Sequence, residues 1–112
     1  MANENSEKTS SGLKVNVAAL LCYAFGWISG LILYLTEKEN KLVRFHAFQS
    51  IVVFGAATVL QVFLVAVPVI GWILLPLFYL AELGLWIFLM IKAYQGEKIK
   101  LPVAGDLAEK NA

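Results

Sequence analysis

The sequence predicts an all-α integral membrane protein, a bundle of three transmembrane helices, and three observations carry that prediction. Of the 112 residues 60% are hydrophobic and 15% are charged, whereas a soluble domain carries about a quarter of its residues as charges. The charged residues gather in the two termini and one connector, with Glu82 as the exception. Between them lie uncharged runs long enough to cross the roughly 30 Å hydrocarbon layer of a bilayer. A chain of this size holds one domain. Its net charge of +1 provides no field that would attract nucleic acid. Cys22, the single cysteine, supports neither a disulfide framework nor a thiolate metal site within one chain.

Residues 1–14 are rich in Ser, Asn, Glu and Lys, bury too little apolar surface to offset the entropy of ordering, and are expected as a mobile polar tail. Residues 15–35 contain no charge and as one helix would span the hydrocarbon at 1.5 Å per residue. A cleavable signal peptide is the competing reading. The run is longer than the usual apolar core of such a peptide, and Tyr34, Leu35 and Thr36 offer no small-residue cleavage site. The connector after it holds Glu37, Lys38, Glu39, Lys41, Arg44 and His46, which belong at or beyond a membrane surface. Glu37 precedes Lys41 by four residues, the favourable order for a helical pair, so part of the connector is read as a helical extension of the second span.

From residue 47 to residue 91 the only charge is Glu82. One straight helix of that length would reach about 68 Å, more than twice the hydrocarbon thickness, so the run must fold back. Pro68 and Gly71 mark the turn, since proline removes a backbone donor and glycine opens backbone angles that other residues avoid. The predicted spans are therefore residues 15–35, 47–67 and 72–93, with Pro76 in the first turns of the third. Residues 94–112 follow as a cytoplasmic juxtamembrane tail.

Lysine and arginine are retained on the cytoplasmic side. Three spans place the first connector and the C-terminus together, with seven basic residues, against Lys8 and Lys14 on the other side. The expectation is a multi-pass protein of the cell (inner or plasma) membrane with its N-terminus outside and its C-terminus cytoplasmic.

Three groups of residues are candidates for function. Glu82, at the middle of the third span, must be protonated, paired or facing a wet cavity. Gln61, Thr58 and Tyr23 lie near its depth as partners, and Ser50 belongs to a mildly polar stripe with His46, Ala57 and Gln61 that should face protein. Gly26 and Gly30 form a GxxxG pair, extended by Ala19, Cys22 and Ser29 into a flat face for helix packing, either between two copies or against the other helices of the same chain. Arg44, His46, Lys92, Lys98 and Lys100 are placed at the headgroups, where anionic lipid could bind. His46 has no second ligand at metal-site spacing, and no metal is expected. No nucleophile-base pair, phosphate-cradling glycine loop or paired acids can be read, so neither catalysis nor a cofactor is expected.

The run YLTEKENKLVRFHAFQS at 34–50, followed by KAYQGEKIKLPVAG at 92–105, resembles a widespread family of small, uncharacterised prokaryotic multi-pass membrane proteins. That family is distantly similar to the Tic-type membrane component of chloroplast protein import. The resemblance covers roughly residues 15–108. It implies an ordered juxtamembrane segment around Pro102 and Gly105, and it assigns no activity. The reading that results is a non-enzymatic membrane protein acting through helix contacts with itself or another membrane component. The alternatives are an oligomeric pore or proton-linked carrier around Glu82, and an anionic-lipid-binding protein.

Overall fold

The computed structural model describes Thr9 and residues 12–112; most of the tail expected at 1–14 lies outside them. Five helices make up the described fold: α1 Val15–Ala24, α2 Trp27–Thr36, α3 Lys41–Ala66, α4 Ile70–Tyr94 and α5 Ala104–Asn111.

The first departure from expectation is the first span. Residues 15–35 form two ten-residue helices rather than one. Gly26, at φ 64° and ψ −142°, takes a backbone conformation that side chains of L-residues disfavour. Ser29 holds the break: its hydroxyl accepts from the Phe25 N–H at 3.0 Å and faces the carbonyls of Cys22 and Gly26 at 3.3 and 3.2 Å. Each half is only about 15 Å long. Two helices, α3 and α4, are long and apolar enough to cross a membrane, not the three expected.

The break is a full reversal. Along α1, Leu20 lies beside Met90, Ile91 and Tyr94, the Tyr23 carbonyl accepts from Trp86, and Gly26 reaches Phe54. Thus α1 runs antiparallel to α4. Along α2, Gly30 abuts Ala47 and Ser50, while Arg44 reaches the Tyr34 carbonyl, so α2 runs antiparallel to α3. Since α3 and α4 are themselves antiparallel, α1 and α2 form a short hairpin whose two ends lie level with Lys41 and Tyr94. This corrects the expected N-terminal placement, because Lys14 and Val15 stand at the same end as the connector and the C-terminal helix.

Helix α3 begins at Lys41, ahead of the expected 47, because the connector caps it. The Glu37 carboxylate accepts the Glu39 and Asn40 N–H groups at 3.1 and 2.9 Å, and the Asn40 side chain accepts from Val43 N–H at 3.1 Å, satisfying donors that a helix start leaves free. The turn between α3 and α4 falls at 67–69, where the Ile70 N–H donates to the Pro68 carbonyl. Pro76 lies within the second turn of α4.

The result measures 49 × 22 × 22 Å and is lopsided along its long axis. At one end Val15, Ala19, Cys22, Leu42, Val43, Leu89 and Ala93 are fully buried, with α5 packed on α3. Toward the other end α3 and α4 run on alone among the described residues. Val59, Val62, Phe63, Ile70, Ile73, Leu77 and Leu80 are each more than 60% exposed.

Candidate functional site

Three buried polar side chains of the packed end, Tyr23, His46 and Gln49, form one network. His46 presents Nε2 to the Glu97 carbonyl at 3.1 Å and Nδ1 to the Tyr23 hydroxyl at 2.7 Å. A carbonyl only accepts, so Nε2 donates and Nδ1 accepts the tyrosine proton. The Gln49 amide nitrogen donates to Tyr23 Oη at 3.0 Å and to the Ile99 carbonyl at 2.9 Å, and its Oε1 accepts the Leu101 N–H at 3.0 Å. Gln49 therefore pairs with the extended segment 99–101 much as a neighbouring β-strand would. All three side chains are buried, and the network fastens α1 and the C-terminal segment to α3. The sequence places His46 at the headgroups; in the fold it is enclosed, because α1 and residue 97 close over it. The two segments that carry the family resemblance, 34–50 and 92–105, thus meet in space.

The other expected headgroup residues are also engaged. The Arg44 guanidinium donates to the carbonyls of Tyr34 and Glu37 at 3.1 and 2.6 Å and lies 4.2 Å over the Tyr34 ring, closing the C-terminal end of α2. Lys92 pairs with Glu97 at 3.7 Å and Lys98 with Glu109 at 3.7 Å. Lys100 meets Glu109 at 2.7 Å and Asp106 at 3.5 Å. The hydrogen bond from Lys100 draws the Glu109 carboxyl below its ordinary pKa and raises that of the Lys100 ammonium. The Lys98 and Lys100 pairs fold α5 back onto the segment before it.

The small-residue face of the first apolar run is used within the chain. A Cβ on Gly30 would come 2.9 Å from the Ala47 carbonyl oxygen. The Ser50 hydroxyl donates to the Gly26 carbonyl at 2.9 Å. Ala19 is buried in the core and Ser29 holds the tip.

Glu82 stands apart from this network, just beyond the tip of the α1–α2 hairpin. Of the three partners anticipated, Gln61 donates to its carboxylate. Thr58 instead returns its hydroxyl to the Phe54 carbonyl of its own helix at 2.8 Å, and Tyr23 is held by His46. Glu82 is half-buried and lines two cavities. One, of about 440 Å³, lies against the hairpin tip among Ala24, Gly26, Phe54, Tyr79 and Trp86. The other, of about 310 Å³, is lined by Phe54, Ala56, Ala57, Phe78, Ala81 and Leu85 besides Glu82. Among the described residues no group of three His, Cys, Asp or Glu side chains is placed to hold a metal ion.

Two long apolar helices with a clamped polar base are the features of a helical membrane protein. The chain belongs to the magnetosome magnetite crystal formation protein family, whose sequence profile matches residues 7–108. It is 53% identical over 103 residues to a UPF0132 membrane protein of Methanocaldococcus jannaschii, covering 92% of this chain and 93% of that one. A second protein of that name from the same organism is 46% identical over 88% of this chain and 71% of its own length. One from Archaeoglobus fulgidus is 43% identical over 88% and 95%. These matches bear out the prokaryotic membrane family and do not extend to the chloroplast import component. No solved structure matches the chain.

Proposed function

We propose that the chain is a non-enzymatic protein of the cell membrane that works by helix association, with itself or with another membrane component, along the bare half of α3 and α4. The observation that carries this is the half-buried Gln61–Glu82 pair beside an apolar cleft in which Ala56, Ala57 and Ala81 stand among larger side chains. Small residues let a partner backbone approach closely, and a carboxyl group at bilayer depth gains from a further polar partner. The Gly26–Gly30 face is already filled by α3, which leaves this second face available.

In the membrane, α3 and α4 span and the α1–α2 hairpin enters from one side to about half depth. Lys14, Lys38, Lys41, Arg44, Lys92, Lys98, Lys100 and Lys110 all stand at the packed end, whereas the turn at 67–69 has no basic residue. The packed end is therefore cytoplasmic, and the segment entering α1 shares that side with the C-terminus.

Cysteine crosslinking in membranes tests the proposal. An Ala57→Cys variant is expected to form crosslinked species that Glu82→Leu weakens; a strictly monomeric protein with no copurifying partner defeats it. The proton-linked alternative draws on the cavity where Glu82 meets the hairpin tip, whose irregular backbone lies at a depth that favours a wet cavity. Proton flux in liposomes that Glu82→Gln abolishes would establish that alternative. Anionic-lipid binding has less support, since Arg44, Lys92, Lys98 and Lys100 already have partners in the chain. The family's description concerns magnetite crystal formation, whereas helix association follows from the exposed faces of α3 and α4 in this chain.

A further inference from the structure

We infer that this protein is a membrane wedge, which prefers and promotes curvature convex on its packed side. The inference rests on the membrane-embedded reading and adds a function to it. Four helices stand side by side at the packed end, and among the described residues only α3 and α4 continue beyond Phe54 and Glu82. At a helix diameter of about 10 Å, that is roughly twice the cross-section in one leaflet as in the other. Helix α5 and segment 97–101 widen the base further, at headgroup level.

A wedge bends a bilayer only if it does not splay, and here several bonds oppose splaying. Tyr23 ties α1 to α3 through His46 and Gln49, Trp86 of α4 donates to the Tyr23 carbonyl at 2.6 Å, and Arg44 ties α2 to α3. The half-depth reach depends on the turn at Gly26, whose positive φ sends the chain back and which Ser29 and Ser50 hold. Without that turn, residues 15–35 form an uncharged helix of spanning length, and the molecule becomes a three-helix cylinder. The wide leaflet must accommodate the extra cross-section, and the bilayer yields by curving toward it, just as it deforms to meet a mismatched helix length.

The test uses the full chain reconstituted into a mixture of small and large unilamellar vesicles of one lipid composition. The expected result is a several-fold higher protein density on the small vesicles, with α5 digested by external protease there because the wide end occupies the outer leaflet. Equal density, or a preference for small vesicles with no bias in orientation, overturns the inference. Protein that fails to float with either vesicle class defeats the embedded reading instead, so the two failures are distinct. The Gly26→Leu variant is expected to place its N-terminus on the face opposite α5 and to lose the sorting. Sorting retained by a variant with that topology also overturns the wedge.

Discussion

The packed and bare ends of this molecule are built from similarly apolar residues and treat them in opposite ways. Around Tyr23, His46 and Gln49, polar groups are buried and satisfied one by one, and apolar side chains fill the spaces between helices. Beyond Phe54, side chains such as Val59 (71% exposed) and Leu80 (67% exposed) lie largely uncovered by the rest of the chain. Exposed apolar surface on that scale marks an interaction or membrane surface. The difference teaches that hydrophobicity alone does not hold the packed end together. In lipid, apolar side chains gain little from leaving one apolar medium for another, so close packing and hydrogen bonds decide which helices stay joined.

The contrast is most severely challenged at Gln49. Gln49→Ala leaves the Ile99 carbonyl, the Leu101 N–H and one bond of Tyr23 without a partner. It should destabilise the fold by about 3 kcal/mol, since a fully buried unpaired group costs roughly 1–3 kcal/mol and the two bonds to segment 99–101 are part-buried. Denaturant unfolding in micelles reads this, together with faster proteolysis after Gln95; a loss below half that size would show the network to be incidental.

Two glycine substitutions then compare a covered position with an uncovered one. Gly30→Ala forces a methyl group to 2.9 Å from the Ala47 carbonyl oxygen, and overpacking of this kind costs about 1–3 kcal/mol. Gly84→Ala meets nothing within 4 Å and replaces a poor helix former with the best one, so it should stabilise by about 0.5–1 kcal/mol. The same unfolding measurement should give shifts of opposite sign. Shifts of one sign would mean that the bare face is packed after all.

The smallest effect concerns α5. Because Lys100 holds the Glu109 carboxyl below its ordinary pKa, the ion pair is present above the ordinary carboxylate value. It is lost as pH falls through the lowered one. Both groups are exposed, so the global fold should hardly respond. Hydrogen exchange over residues 104–111 is expected to show less protection at low pH, after correction for the intrinsic rate, while protection in α3 holds. Unchanged protection in α5 would show that its docking rests on Ala104 and Ala108 rather than on charge.

Much of the fold is legible in the residues. The turn near Pro68, the two long helices, the helical start within the connector and the Gln61–Glu82 pairing all follow from local chemistry or from counting depth along a helix. What is not legible is instructive at Gly26. A glycine four residues from another glycine in an apolar run reads as a packing seam, and only the neighbours of α1 and α2 show that Gly26 also breaks the helix. His46 escapes the sequence for a related reason: its enclosure depends on residue 97, 51 positions away, and no periodicity in α3 reports a contact of that range.

The sequence by itself determined that this is a helical protein of two or more apolar elements with its positive charge held away from them, because side-chain transfer energies and helix rise are local properties. Only the tertiary structure decided that the first apolar run turns back at Gly26, that the C-terminal segment docks on Gln49, and that the molecule is therefore wide at one end and narrow at the other. Those outcomes depend on which backbone groups find partners across tens of residues, and a linear pattern of apolar and polar residues does not encode that choice.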